Sequence, residues 1–299
     1  MSSRILILGG TGFIGYHLAK EALRKGFKVT SVSKNKPIKK RFLKNVNYII
    51  ADISKNNSVK KKIKKNFEYV INLAGYVDHS NTVETYNSHY LGCKNISNFF
   101  LNKKIKKFIQ VGSSMEYGLV KSPQKENFKC KPLSIYGKAK FLSTQYLLNL
   151  YKKKKFPATI LRFYQVYGPY QDSNRFIPIV INSCKLNREF PCSHGRQFRD
   201  FLYISDLIDV FFITLKSSEA KGEILNIGSG KPLKIKNIIK KIVKYYKSGS
   251  PKFNEIKLRN EEQIKIYPDM RKTKKILNWK PKINFSQGLA MTMKYYNVN

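Results

Sequence analysis

The stretch that most constrains this chain is Gly9-Gly10-Thr11-Gly12-Phe13-Ile14-Gly15, set between the apolar run Ile5-Leu6-Ile7-Leu8 and a pattern in which Ile14, Leu18 and Ala22 recur at helical spacing. The order is strand, glycine loop, helix. Glycine turns the backbone sharply and lets a phosphate reach main-chain N–H groups with no Cβ in the way, while the following helix offers its positive N-terminal end to an anion. In that context the loop reads as a pyrophosphate cradle rather than as a turn alone.

Gly26 stands where that helix needs a left-handed residue to end it. Phe27 to Ser33 alternates as a second strand, a basic loop runs from Lys34 to Lys44, and Val46 to Ile53 reads as a third strand carrying Asp52. A short basic helix follows around Val59 to Lys65, then a fourth strand over Phe67 to Leu73 that runs into Ala74-Gly75. One long helical segment covers roughly Thr82 to Leu101, and a fifth strand, Phe108 to Val111, ends in Gly112-Ser113-Ser114. Leu133 to Lys155 is predicted helical, with Ala139, Leu142, Tyr146, Leu147 and Leu150 at apolar positions, and Thr159 to Val166 is a sixth strand.

Such alternation predicts right-handed parallel crossovers, hence an α/β fold with a Rossmann-type doubly wound parallel sheet and its ligand at the carboxyl ends of the strands. Beyond Gly168-Pro169 the elements shorten and prolines punctuate them, predicting a smaller C-terminal α+β substrate lobe. The expected division is 1–168 and 169–299, with part of 199–227 packing back onto the first domain and a cleft between the two.

With 299 residues the chain can bury a sizeable core. No apolar run approaches the length needed to cross a bilayer, and the chain starts directly on a strand, so the expectation is a cytosolic protein with no membrane insertion. Cys93, Cys130, Cys184 and Cys192 show no metal-ligand spacing and read as reduced thiols, with no metal expected. The formal charge of +40 is the outlier, but its lysines are dispersed, as over Lys60 to Lys65, Lys103 to Lys107 and Lys152 to Lys155. Aromatics seldom interleave with them, so they read as solvated helix faces rather than as a specific nucleic-acid site.

Tyr136 and Lys140 lie four apart at the start of a helix, so both point from one face. A phenol is a poor acid or base at neutral pH, and a neighbouring ammonium stabilises its phenolate; the two make a proton-transfer pair. Ser113, at the end of the fifth strand, falls on the same sheet edge as the glycine loop, where its hydroxyl can bond a substrate oxygen.

The glycine loop, Asp52, Asn72-Leu73-Ala74-Gly75, Gly112-Ser113-Ser114-Met115-Glu116-Tyr117-Gly118, Tyr136 to Lys140, Leu161-Arg162 through Val166-Tyr167-Gly168-Pro169, Arg199-Asp200-Phe201-Leu202-Tyr203 and Leu225-Asn226-Ile227-Gly228 occur in that order. On these motifs the chain resembles the extended short-chain dehydrogenase/reductase family of nucleotide-sugar epimerases, dehydratases and ketoreductases, nearly end to end. The resemblance implies Tyr136 as general acid/base, Ser113 orienting the reacting oxygen, and Lys140 holding the nicotinamide ribose and tuning Tyr136. It implies that Gly9, Thr11, Gly12, Phe13, Ile14 and Gly15 cradle a dinucleotide, that Asp52 and Ile53 lie at its adenine, and that Leu73, Ala74 and Gly75 line its channel. Ser114, Met115, Gln165 and Arg199 fall to the substrate; Arg199 either clamps a diphosphate or pairs with a nearby carboxylate. A homodimer joined through the Tyr136 helix and the helix before it is also implied.

Three positions depart from the family. Gln165 and His89 each stand where Asn is usual, His89 reading as a buried structural residue, and Met115 replaces the glutamate with which dehydratases move a proton at C5. Where NAD-binding members carry an acidic residue at the end of the second strand, this chain has Ser33, followed by Lys34, Lys36 and Arg41. Those cations suit a 2′-phosphate, so NADP is expected, with NAD the alternative. A reductase draws on NADPH, so the expected activity is reduction of the 4-keto group of a nucleoside-diphosphate deoxysugar, with 4-epimerisation as the alternative and a catalytically silent binder of RNA or acidic glycan behind both.

Overall fold

The computed structural model describes residues 2–76, 78, 80–258 and 262–298; the side chains of Asn57 and Lys60 lie outside the description. The chain opens with β1 (Arg4–Leu8), α1 (Phe13–Arg24), β2 (Lys28–Ser33), β3 (Asn47–Ile50), α2 (Asn56–Lys62), β4 (Tyr69–Asn72), α3 (Thr82–Tyr86) and α4 (Gly92–Phe100). It continues with β5 (Lys107–Ser113), α5 (Ile135–Lys154), β6 (Ala158–Phe163), β7 (Gln165–Tyr167), α6 (Phe176–Lys185), β8 (Glu189–Cys192), β9 (Phe198–Tyr203) and α7 (Ile204–Lys216). The last elements are β10 (Ile224–Ile227), β11 (Pro232–Lys234), α8 (Ile235–Tyr246), β12 (Ser250–Phe253), β13 (Lys265–Ile266), α9 (Arg271–Leu277) and α10 (Phe285–Val298).

Seven strands form one parallel sheet in the order β10-β6-β5-β4-β1-β2-β3. A central parallel strand is covered on both faces and so reads as a continuous apolar run. Ile5 and Ile7 pack on one side with Leu18 of α1 and Phe211 of α7, while Leu6 and Leu8 pack on the other with Ile96 and Phe100 of α4 and Leu147 of α5. The order reverses at β1: β2 and β3 lie to one side, β4, β5, β6 and β10 to the other. The crevice at the carboxyl ends of β1 and β4 is therefore the switch point where such sheets bind ligands. The remaining strands form the second lobe, with β9 flanked by β11, β13 and β7, and β8 paired with β12.

Several boundaries differ from the sequence reading. The sixth strand stops at Phe163; after Tyr164 the chain leaves the large sheet and β7 pairs with β9. The third strand covers only 47–50, and α2 begins and ends three residues earlier than predicted. The single helix expected over Thr82 to Leu101 is interrupted by a π turn at Asn87–Leu91, whose widened backbone turns the His89 carbonyl toward α5, where it accepts the Ser143 hydroxyl at 2.9 Å. The helix after Leu133 starts at Ile135, because Ser134 caps it by accepting the Gly137 amide at 3.1 Å. Leu142 is exposed, since the face of α5 turned to the sheet carries Lys140, Ser143 and Thr144 beside Ala139 and Leu147. Gly26 has φ +80°, the left-handed value read from its position. No helix among the described residues is long and apolar enough to cross a membrane.

Candidate active site

One cleft of about 770 Å³ opens at the switch point, and the residues singled out above for cofactor, catalysis and substrate line it, except Lys36 and Arg41. Its floor is the glycine loop. Gly9 has φ +81°, and a Cβ there would lie 2.9 Å from the Ala74 nitrogen, so this position admits only glycine. A Cβ on Gly15 would strike the Gly9 carbonyl, so helix α1 can approach the loop only without a side chain there. Gly12 caps α1 with no side chain of its own, and the first turn holds no acidic residue, which leaves the helix N–H groups to an anion. These features fit a dinucleotide pyrophosphate.

At the end of the cleft bordered by β2 and β3 lie Ser33, Lys34, Asp52 and Ile53. The Thr11 amide approaches the Ser33 hydroxyl at 3.4 Å. Lys34 is bound to Glu84 at 2.7 Å and lies 3.6 Å from Asp52; the Glu84 hydrogen bond holds its ammonium above the ordinary lysine value. Burial works against ionisation of Asp52, but the Ser54 hydroxyl and amide together with Lys34 keep its carboxyl below the usual range. Arg41 is buried and committed to Asp172 at 2.7 Å and to the Tyr170 carbonyl. Of the three cations expected to meet a 2′-phosphate, Lys34 and Arg41 are thus already paired with carboxylates, and Lys36 is exposed outside the cleft.

The chemical end lies where β5 meets α5. Lys140 is buried and donates from Nζ to the Val111 carbonyl at 2.8 Å, with the same atom 5.9 Å from the centre of the Tyr136 ring. Burial lowers the Lys140 ammonium to about 8. The Ser113 hydroxyl hydrogen-bonds Tyr136. Burial pushes the Tyr136 phenol above its ordinary value, opposed by that Ser113 bond and by the charge of Arg175. Against the expectation that Lys140 helps draw the phenol toward neutrality, burial of the phenol prevails here and the ammonium is aimed at a carbonyl.

His89 packs edge-on against Tyr136, ring centres 4.9 Å apart, and its Nε2 lies 3.2 Å from the Tyr76 carbonyl. It occupies the space a side chain at Gly75 would need, so the channel glycine and the histidine form a complementary pair. It is buried, yet it also lines the cleft.

Toward the second lobe, Ser114, Met115 and Gln165 face the cleft with Gln171 and Arg175. Arg199 lines it too but forms an ion pair with Glu262, which is the alternative left open for it. Glu116, next to Met115, is fully buried and does not border the cleft. Tyr164, Arg175, Glu262 and Gln263 line the cleft without having been singled out. Arg175, Glu262 and Gln263 sit outside the quoted motifs, on segments of the second lobe, so no local pattern marks them; Tyr164 falls inside the Leu161 to Pro169 stretch, beside Gln165. No group of metal ligands occurs among the described residues, and the four cysteines are free thiols.

Residues 5–228 match the model of the NAD dependent epimerase/dehydratase family. The chain belongs to that family. By their names, the curated relatives it matches include nucleotide-sugar dehydratases, a putative epimerase and a decarboxylase. The mouse dTDP-D-glucose 4,6-dehydratase is 29% identical over 225 residues, covering 73% of this chain and 61% of that protein, so the chain spans a little under two thirds of it. A UDP-N-acetyl-alpha-D-glucosaminuronate decarboxylase from Bacillus cytotoxicus is 28% identical over 318 aligned positions, 99% of this chain and 98% of the relative. In fold the chain is similar to the UDP-glucuronic acid 4-epimerase of Bacillus cereus, solved with UDP-glucuronic acid and NAD: TM-score 0.87, 23% identity, 99% of each chain.

Proposed function

We propose that this chain is a nucleotide-sugar 4-epimerase that retains NAD, removing hydride from C4 of the sugar and returning it to the opposite face. The observation that carries the reading is the meeting of Ser113, Tyr136 and Lys140 in the cleft that holds the glycine cradle, with a thioether, Met115, where a C5 proton carrier would be needed. The dinucleotide, when bound, supplies the hydride acceptor and donor. Tyr136 takes the C4 hydroxyl proton as hydride leaves and gives it back as hydride returns, while the Ser113 hydroxyl orients that oxygen. Lys140 reaches the ribose side and offsets charge on the phenolate. The Glu116 carboxylate points away from the cleft, so 4,6-dehydration finds no carboxylate at that position. Arg175 and Arg199 stand on the side where the substrate diphosphate would lie, a contact suited to a guanidinium.

The second reading is the NADP-dependent 4-ketoreductase. It is favoured by Ser33 where an acidic residue would select NAD, and weakened by the Lys34–Glu84 and Arg41–Asp172 pairs, which occupy two of the cations it relies on. A homodimer through α5 and the helices before it would cover Val83 and Leu142, both exposed; sedimentation velocity tests it. For the reaction, purified protein is given UDP-glucose, UDP-glucuronic acid and their C4 epimers and followed by NMR. Interconversion with no change in free nicotinamide is expected. Stoichiometric NADPH oxidation with a 4-keto-6-deoxysugar nucleotide, and no epimerisation, would overturn it in favour of the reductase.

A further inference from the structure

Glu116 borders no part of the cleft, yet it touches three of the elements that build it. Its Oε1 accepts the Ser113 amide at 2.9 Å, and its Oε2 accepts the Thr144 hydroxyl at 2.8 Å and Arg162 Nε at 2.9 Å, with Arg162 Nη2 at 2.8 Å. Both Glu116 and Arg162 are essentially inaccessible to solvent. Gly112 makes room for the carboxylate: a Cβ there would fall 2.5 Å from Oε1.

A buried ion pair is weak as a stabiliser, because desolvating two charges offsets most of their attraction, so its presence calls for another account. The partners supply one. Tyr136, Lys140 and Thr144 are spaced four apart on one face of α5. Tyr136 meets Ser113, Lys140 meets the Val111 carbonyl, and Thr144 meets Glu116, so three successive turns of the helix are fastened to the end of β5. The short turn Ser114–Glu116 also seats directly on the first turn of α5, where a Cβ at Gly137 would lie 2.5 Å from the Met115 carbonyl.

We infer that Glu116 is a positioning residue for the C4 chemistry: it fixes the Ser113 backbone and, through Thr144, the seat of α5, so that the Ser113 hydroxyl and the Tyr136 phenol address the same substrate oxygen. This rests on the reading of Tyr136 as the proton carrier. Glu116 touches neither sugar nor dinucleotide and acts only through its neighbours. Misplacement of a reacting group by about an ångström costs up to about a hundredfold in rate, and the loss of one of three fastenings is expected to cost about tenfold.

Thr144→Val removes the hydroxyl and keeps the shape; Thr144→Ser restores the hydroxyl; Thr144→Ala makes the same deletion should the valine form fail to fold. With UDP-sugar substrate, the valine form is expected to lose about tenfold in kcat at constant KM and constant NAD affinity, and the serine form to recover it. Hydrogen exchange at the Ser113 amide, read by NMR without substrate, is expected to quicken in the valine form and return in the serine form. Unchanged kcat, or a loss that the serine form does not recover, overturns the inference. If the wild type turns over no nucleotide sugar, the functional reading fails, and the Ser113 exchange alone decides: an unchanged rate in the valine form overturns the role of Glu116.

Discussion

Replacing Lys140 by Met should make this protein more stable and less active. Lys140 is 3% exposed, and burial holds its ammonium at about 8 rather than the ordinary 10.5. At about 1.4 kcal/mol per unit, keeping that charge in the fold costs about 3 kcal/mol at pH 7. Beside the attraction of Glu116, which that value already contains, the ammonium makes a hydrogen bond to Val111 worth about 1 kcal/mol net. Methionine fills the same channel without the charge, and the Val111 carbonyl keeps the Gln110 side-chain amide at 3.1 Å. The expected gain is therefore roughly 2 kcal/mol at neutral pH. Because the folded value lies below the unfolded one, the unfolded chain holds more protons between about pH 8 and 10.5, and wild-type stability contributed by this group rises with pH across that window. Below about pH 8 both states are protonated and the full cost applies. The advantage of Lys140→Met is thus greatest near pH 7 and shrinks toward pH 10. Urea unfolding at pH 7 and pH 9.5 measures it, and turnover should fall sharply in the same protein. A methionine form less stable than wild type at pH 7, or an advantage that does not change with pH, would refute the reasoning.

Tyr136→Phe should lower turnover by about 10²- to 10⁴-fold while NAD affinity stays within a fewfold, since it removes the proton carrier and little volume; a near wild-type rate would take Tyr136 out of the acid/base role. Gly9→Ala adds a Cβ at φ +81° against the Ala74 backbone, so stability should drop by at least about 1 kcal/mol and dinucleotide binding should weaken, both read by thermal shift with and without NAD. Glu84→Ala releases Lys34 from its 2.7 Å partner, and the ratio of NADP to NAD affinity should rise severalfold; a constant ratio would mean that Lys34 does not face the adenosine ribose.

The large sheet was legible because its grammar is local: an apolar run such as Ile5 to Leu8 followed by a glycine loop specifies both a strand buried on two faces and the turn after it. The parts of the site carried by those turns, the glycines, Ser113 and the Tyr136–Lys140 pair, were legible for the same reason. What escaped was decided by contacts between distant segments. Nothing near Leu142 reveals that its helix turns Ser143 and Thr144 inward instead, because those polar groups are satisfied by His89 and Glu116 on other elements. The π turn at Asn87–Leu91 has no breaker in its sequence. Lys34 and Arg41 look like free cations until the fold brings Glu84 and Asp172 to them, 50 and 131 positions away.

The edge strand β10 lies beside β6 although 60 residues, carrying β7, α6, β8, β9 and α7, separate Phe163 from Ile224. On a ribosome, the first six strands of the sheet emerge while β6 still presents an open edge, its N–H and C=O groups unpaired and its neighbour not yet made. Closure waits until β9 and α7 have been synthesised and the chain comes back, so the nucleotide-binding half matures only after much of the other lobe exists. Shortened versions ending near Gly168 should accordingly clump through that bare β6 margin, whereas those reaching past Gly228 should stay dispersed.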